Sequence, residues 1–266
     1  MEQTVAERRQ PPVGRLLKQW RERRRLSQLA LAIEAEISAR HLSFVETGRS
    51  TPSREMVLRL AEHLEVPLRD RNQLLLAAGY APVFSQAPLD SPELRRVLDA
   101  VRTVLRAHEP YPAVAVDRLW NLVAGNATLP LLTAGVADHL LRPPANALRL
   151  TLHPDGLAPR IVNLAEWRGH LLGRLRRQLG LTADADLAAL HDELRGYPGG
   201  TPEVGLPGPG DVVVPLRLRH DDGELRLLST VSTFGTPLDV TVQELSIESF
   251  FPADEATAAH LRRPVR

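Results

Sequence analysis

Arg40 stands in the run Ser38-Ala39-Arg40-His41-Leu42-Ser43, where a serine able to cap a helix is followed by a polar, basic face. Side chains of this kind at a helix start suit the reading of base edges. A guanidinium pairs bidentately with guanine O6 and N7 and discriminates by about 1–3 kcal/mol. Ser38, Ala39, Arg40, His41 and Ser43 form the candidate solvent side of this helix, and Leu42 and Val45 its core side. Gln28, opening the preceding segment after Ser27, is placed to hold a phosphate through its amide and the helix N-terminus. Arg49, just past the second helix, is a further phosphate candidate, while Glu46 is expected to be structural. For each residue the competing reading is a solvated polar side chain.

Catalytic chemistry has less support. His191-Asp192-Glu193 invites an acid–base or metal role, yet the chain carries no HExxH, no GxSxG elbow and no glycine-rich phosphate loop followed by lysine. With no cysteine anywhere, thiolate catalysis, disulfides and cysteine-based metal sites are excluded. We expect no enzyme, no metal and no cofactor, and His191 on a solvated helix.

The elements that must position Arg40 can be read from local chemistry. Ser27 and Ser38 each precede a short amphipathic segment and can accept from first-turn N–H groups. Leu26 and Ile37 before them can pack on Leu31 and Leu42. Gly48 ends the second segment, and Pro52-Ser53 opens another with Met56, Val57, Leu60, Ala61 and Leu64 at helical spacing. Val13, Leu16, Leu17 and Trp20 give the same pattern upstream, and Asn72 to Ala78, closed by Gly79, gives it downstream. The spacing predicts five helices from about Val13 to Ala78 with a helix-turn-helix inside. The turn normally takes glycine where Glu36 stands, so either the backbone is strained there or the turn geometry differs slightly.

Beyond this, Tyr80 to Asp90 reads as a semi-rigid connector, and Ser91-Pro92 starts a helix striped by Leu94, Val97, Leu98, Val101 and Leu105. Ala113 to Val116 and Leu119 to Val123 suggest a hairpin around Asp117-Arg118. Leu164 to Leu179 and Asp184 to Arg195 read as helices, and Gly196 to Gly210 as a surface loop. Strands are expected at Asp211 to Arg219, Glu224 to Thr233 and Val240 to Ile247, the first two joined through Asp222-Gly223. The sum is an α+β layout: an antiparallel sheet with helices over one face.

The run from His41, HLSFVETGRSTPSREMVLRLAEHLEVPLRDRNQLLLAAGYAP, resembles the N-terminal domain of MmyB-like regulators, a branch of the XRE helix-turn-helix transcription factors. TLHPDGLAPRIVNLAEWRGHL from Thr151 and VSTFGTPLDVTVQELSIESFFPADEATA from Val231 are similar to that family's C-terminal PAS-like (MltR-type) domain. The resemblance implies a pocket for a fatty acid or related amphiphile as effector. On that basis Tyr111, Trp120, Leu122, Trp167, Leu228 and Phe234 are candidate lining residues. Asn121, Arg149, His153, Arg160 and Asn163 are candidates to hold a polar head. The plainer reading makes the aromatics core and His153-Pro154-Asp155-Gly156 a turn.

Charge fits two roles. Residues 1–82 carry fourteen basic against ten acidic side chains, and the remainder nineteen against twenty-two. A basic first part suits a double-stranded DNA operator, since neutralised phosphates supply most non-specific affinity. We expect residues 1–82 to bind DNA, 83–90 to link, and 91–266 to form the PAS-like ligand-binding domain. Paired half-sites imply a homodimer. No apolar run nears the roughly 18 residues of a membrane helix and no signal peptide is evident, so membrane insertion is not expected and the location expected is cytoplasmic. The alternative function keeps DNA binding and makes the C-terminal part a ligand-free dimerisation or protein-docking module.

Overall fold

The computed structural model describes residues 12–182, 184–200, 213–220 and 223–263. Two compact units result, Met1–Gln86 with Leu238–Val240, and Ala87–Pro237 with Thr241–Arg266.

The first unit holds five helices: α1 (Val13–Arg23), α2 (Gln28–Glu34), α3 (Ala39–Glu46), α4 (Arg54–His63) and α5 (Leu68–Ala77). Ser27, Ser38 and Ser53 cap α2, α3 and α4 by accepting from the N–H groups of Ala30, His41 and Met56. Each such cap is worth about 1 kcal/mol. Leu17, Leu31, Leu42, Val57, Leu60 and Leu75 are fully buried and join all five helices in one core. Gly14 on α1 allows that packing, because a Cβ there would lie 2.1 Å from the Val45 carbonyl oxygen of α3. Gly48 ends α3's approach with a φ of 74°, a left-handed conformation that glycine adopts without strain. The start of the expected connector is tied down. Asn72 Oδ1 accepts from the N–H groups of Val83 and Phe84, and its Nδ2 donates to the Phe84 carbonyl.

The second unit begins with α6 (Arg95–Ala107) and the hairpin β1 (Ala113–Val116) and β2 (Leu122–Gly125). Three short helices follow, α7 (Pro130–Thr133), α8 (Asp138–Leu141) and α9 (Ala147–Leu152), then a 3-10 turn at Ala158–Arg160. After α10 (Leu164–Thr182) and α11 (Ala185–Arg195) come β3 (Leu216–His220), β4 (Gly223–Thr233), α12 (Val240–Gln243), β5 (Ser246–Pro252) and α13 (Glu255–Leu261). The strands form one antiparallel sheet in the order β2-β1-β5-β4-β3, so the unit is α+β, as expected.

Two expectations are corrected. The third late strand is β5, six residues beyond the expected start. Val240 to Gln243 form a helical turn, with Val240 and Leu245 buried. Alternation in VTVQ mimics a strand, but its valines serve a turn. Helices also cover both faces of the sheet at β1. Val114 and Val116 join the main core, whereas Ala113 and Ala115 pack with Val101 and Leu105 of α6 on the other side. Alanines give α6 room to approach. Most of the expected loop at 196–210, the start of the strand expected from Asp211 and the Asp222 turn position lie outside the described residues.

Candidate DNA interface and effector cavity

The turn between α2 and α3 crosses tightly. Glu36 takes a φ of 53°, left-handed and strained for a residue with a side chain, and Ile37 N–H donates back to the Ala32 carbonyl at 2.9 Å. This aims α3 with Leu42 and Val45 inward, Ser38 and Arg40 exposed, and Ala39, His41 and Ser43 half-buried. Phe44, a residue the sequence analysis passed over, organises the exposed side. The Arg40 guanidinium lies 5.4 Å from its ring centroid and the Arg49 guanidinium 5.9 Å. One aromatic of α3 thus gathers two cations, each contact worth about 0.5–1 kcal/mol at the surface.

Behind this face, Glu46 is structural. It accepts Arg21 Nε at 2.7 Å and Nη2 at 2.9 Å, both partners being buried. The hydrogen bond and charge of Glu46 raise the Arg21 pKa above its ordinary value, against the effect of burial. Gln28 Nε2 also donates to Glu46, at 2.8 Å, so its amide is engaged within the protein.

In the second unit an apolar cavity of about 50 Å³ opens between sheet and helices. Val114 of β1 and Phe250 of β5 form its floor, and Leu132, Leu150 and Leu157 its far wall. Trp167 and Leu171 of α10 close one side. Two polar features stand out. Glu248 of β5, 6% exposed, lines the cavity and pairs from behind with Arg174, whose Nη1 donates to Oε1 at 3.0 Å. Trp167 is 2% exposed, and its indole Nε1 meets no acceptor among the described residues, a group whose burial unpaired costs about 1–3 kcal/mol. His170 stacks on Trp167 at 5.3 Å. Burial, then the charges of Arg174 and Arg177, hold its pKa below the ordinary histidine value. A second cavity, about 160 Å³, is lined by His220, Glu224, Leu225, Ala256, His260 and Arg263.

Residues 97–263 match the family model described as the MmyB-like transcription regulator ligand binding domain, and residues 12–74 match a helix-turn-helix domain. The chain belongs to the MmyB-like transcription regulators. It thus joins a helix-turn-helix domain to the ligand-binding domain of that family. No curated protein matches this chain. A solved structure of an RNA-binding light-oxygen-voltage receptor is similar over 92% of this chain and 60% of its own, at 12% identity and a TM-score of 0.28. This chain thus spans 60% of that receptor's length, and a superposition so loose bears on neither fold nor role. Among the described residues no helix is long and apolar enough to cross a membrane.

Of the residues expected at this MmyB-like regulator's pocket, Trp167 and Leu122 line the cavity. Trp120 sits behind it. The indole donates to Gln178 Oε1 at 3.0 Å, and the ring supports Arg174, whose guanidinium lies 4.3 Å from the centroid. Tyr111 packs at the edge of the main core and Phe234 on the α6 side of the sheet. Leu228 pairs across the sheet with Phe251. The expected head-group residues are bonded elsewhere. Arg149 grips Glu193 through Nε and Nη2 at 2.8 and 2.7 Å. Asn121 holds Asp117 and Asn146, and Asn163 bridges Pro215 and Arg217. Arg160 Nη1 donates to the Ala134 carbonyl. His153 Nδ1 accepts the Asp155 N–H within the turn its own sequence suggests.

Glu248, Leu132, Leu150 and Leu157 are lining residues that sequence reasoning missed. For Glu248 a signal exists. Once β5 is set at Ser246–Pro252, period-two alternation puts Glu248 and Phe250 on the core face, a carboxylate where an apolar residue is the rule.

Proposed function

We propose that this regulator binds a double-stranded DNA operator as a homodimer, through the exposed side of α3, and changes its affinity when a small hydrophobic effector fills the cavity. Arg40 reads a base, with Ser38, Ala39, His41 and Ser43 beside it, and Arg49 and the N-terminus at Gln28 contact phosphates. The effector is a fatty acid or related amphiphile. The observation that carries the reading is the apolar cavity within the region matched to the ligand-binding family. An effector shifts DNA affinity only if it binds the competent and incompetent arrangements unequally.

The small volume gives a second reading some weight. About 50 Å³ leaves room for roughly four water centres, well short of the 300–1,000 Å³ usual for ligand pockets, so a packed core serving as a docking module fits the same walls. Denaturing extraction of detergent-free protein, followed by mass spectrometry, separates the two. A stoichiometric amphiphile supports the effector reading. An empty protein that also takes up no added amphiphile favours the docking module.

A further inference from the structure

Apart from the cavity, one group of three metal-ligating side chains converges among the described residues. It consists of His139, His153 and Asp155, with one nitrogen of each imidazole and a carboxylate oxygen all within 4.8 Å of one another. The backbone brings them together. His139 lies on α8, His153 and Asp155 lie in the turn after α9, and the two segments are tied where the Ala137 N–H donates to the Asp155 carbonyl at 2.9 Å. Within the turn, Gly156 N–H donates to the His153 carbonyl and Leu157 N–H to the Leu150 carbonyl, at 2.9 and 2.8 Å. Gly156 is required there, since a Cβ would lie 2.3 Å from the Leu150 oxygen. None of these bonds uses a side chain that a metal would need.

His153 is set for coordination. Its Nδ1 accepts the Asp155 N–H at 3.0 Å, which keeps the ring proton on Nε2 and the lone pair on Nδ1, 3.8 Å from Asp155 Oδ2. Tyr197 and His139 meet the ring edge-on, with centroids at 5.1 and 5.6 Å. A tetrahedral shell with bonds of about 2.0–2.1 Å puts ligand atoms about 3.4 Å apart. His139 and Asp155 are exposed, so small side-chain rotations close the shell. The one bond given up, from the Asp155 N–H to Nδ1, is worth about 1 kcal/mol.

We propose that His139, His153 and Asp155 bind a transition-metal ion of the zinc class, with water completing the shell. Two imidazoles and a carboxylate suit Zn²⁺, whereas Mg²⁺ and Ca²⁺ take oxygen ligands. The ion joins α8 to the turn between Leu150 and Leu157, two residues of the cavity's far wall, and so acts as a clasp on that wall. Its bearing on an effector rests on the reading of the cavity given above, while the metal chemistry does not.

Titration calorimetry of the untagged full chain with Zn²⁺ alone tests the site, and about one ion per chain is expected to bind. His139→Ala and Asp155→Asn, both at exposed positions, are each expected to weaken binding at least about tenfold and to leave the melting curve of the metal-free protein unchanged. His260→Ala alters the other histidine pair, in which the rings of His220 and His260 lie 4.4 Å apart, and is expected to leave the Zn²⁺ affinity as it was. In hydrogen exchange, Zn²⁺ should slow the amides between Ala137 and Leu157 in the wild type and not in His139→Ala. Absence of binding, or binding that His139→Ala and Asp155→Asn leave unaltered, overturns the site. Bound Zn²⁺ with no change of exchange in that segment overturns the clasp. Neither result touches the effector reading, which the extraction experiment decides separately.

Discussion

Arg21 on α1 and Glu46 at the end of α3 form a buried, two-pronged ion pair, with Gln28 of α2 donating to the same carboxylate. Three helices of the DNA-binding unit meet on one side chain. A buried pair of this kind adds little over apolar packing, but removing one partner strands the other. Glu46→Ala is expected to destabilise the unit by about 3–5 kcal/mol. Hydrogen exchange of the α1 and α3 amides reads this unit separately from the rest of the chain, and unchanged protection would count against the pair as a structural tie.

Arg40 and Arg49 flank Phe44 but are expected to fail differently. Arg40→Ala should cost about 1–3 kcal/mol on the preferred sequence and relax preference at one base pair. Arg49→Ala should weaken all duplexes alike and lower the salt slope by about one. Sequence selection from a random duplex pool, with titrations across salt, distinguishes the two.

Glu36 carries positive φ where glycine is unstrained. Glu36→Gly should stabilise the helix-turn-helix by about 0.5–1 kcal/mol, the relief of strain exceeding glycine's extra chain entropy. A thermal or urea midpoint that falls instead would show that the Glu36 side chain earns its place by a contact.

The Arg149–Glu193–Tyr197 cluster makes a prediction about pH. Tyr197 Oη donates to Glu193 Oε1 at 2.5 Å, and burial, then that bond and the Glu193 charge, push its pKa from 10.0 to about 12. Since the folded value lies above the unfolded one, this contribution is whole below about pH 10 and is lost as pH rises through about 12. Solvent screening holds the loss under about 1 kcal/mol. Tyr197→Phe should remove that part of the alkaline decline in unfolding free energy and leave the shape of the curve below about pH 10 unchanged.

Local chemistry made the first unit legible: Ser27, Ser38 and Ser53 cap their helices, Gly48 and Gly79 turn with positive φ, and Glu36 takes the strained of its two expected geometries. All of these signals span only a few residues. The cavity was less legible because its walls are brought together from distant segments. Trp167 and Leu150 come from separate helices and Glu248 from a late strand. Arg149 looked free for a ligand because its partner, Glu193, lies 44 residues away. The misplaced third strand hid Glu248, since alternation in Val240 to Gln243 holds equally for a buried helical turn.

The most direct measurement is fluorescence anisotropy on a duplex enriched from a random pool, titrated with protein in the absence and presence of the compound recovered by denaturing extraction. A saturating effector is expected to change the duplex affinity by about 5- to 150-fold, in either direction. An affinity that stays the same at saturation would contradict the coupling of cavity to DNA.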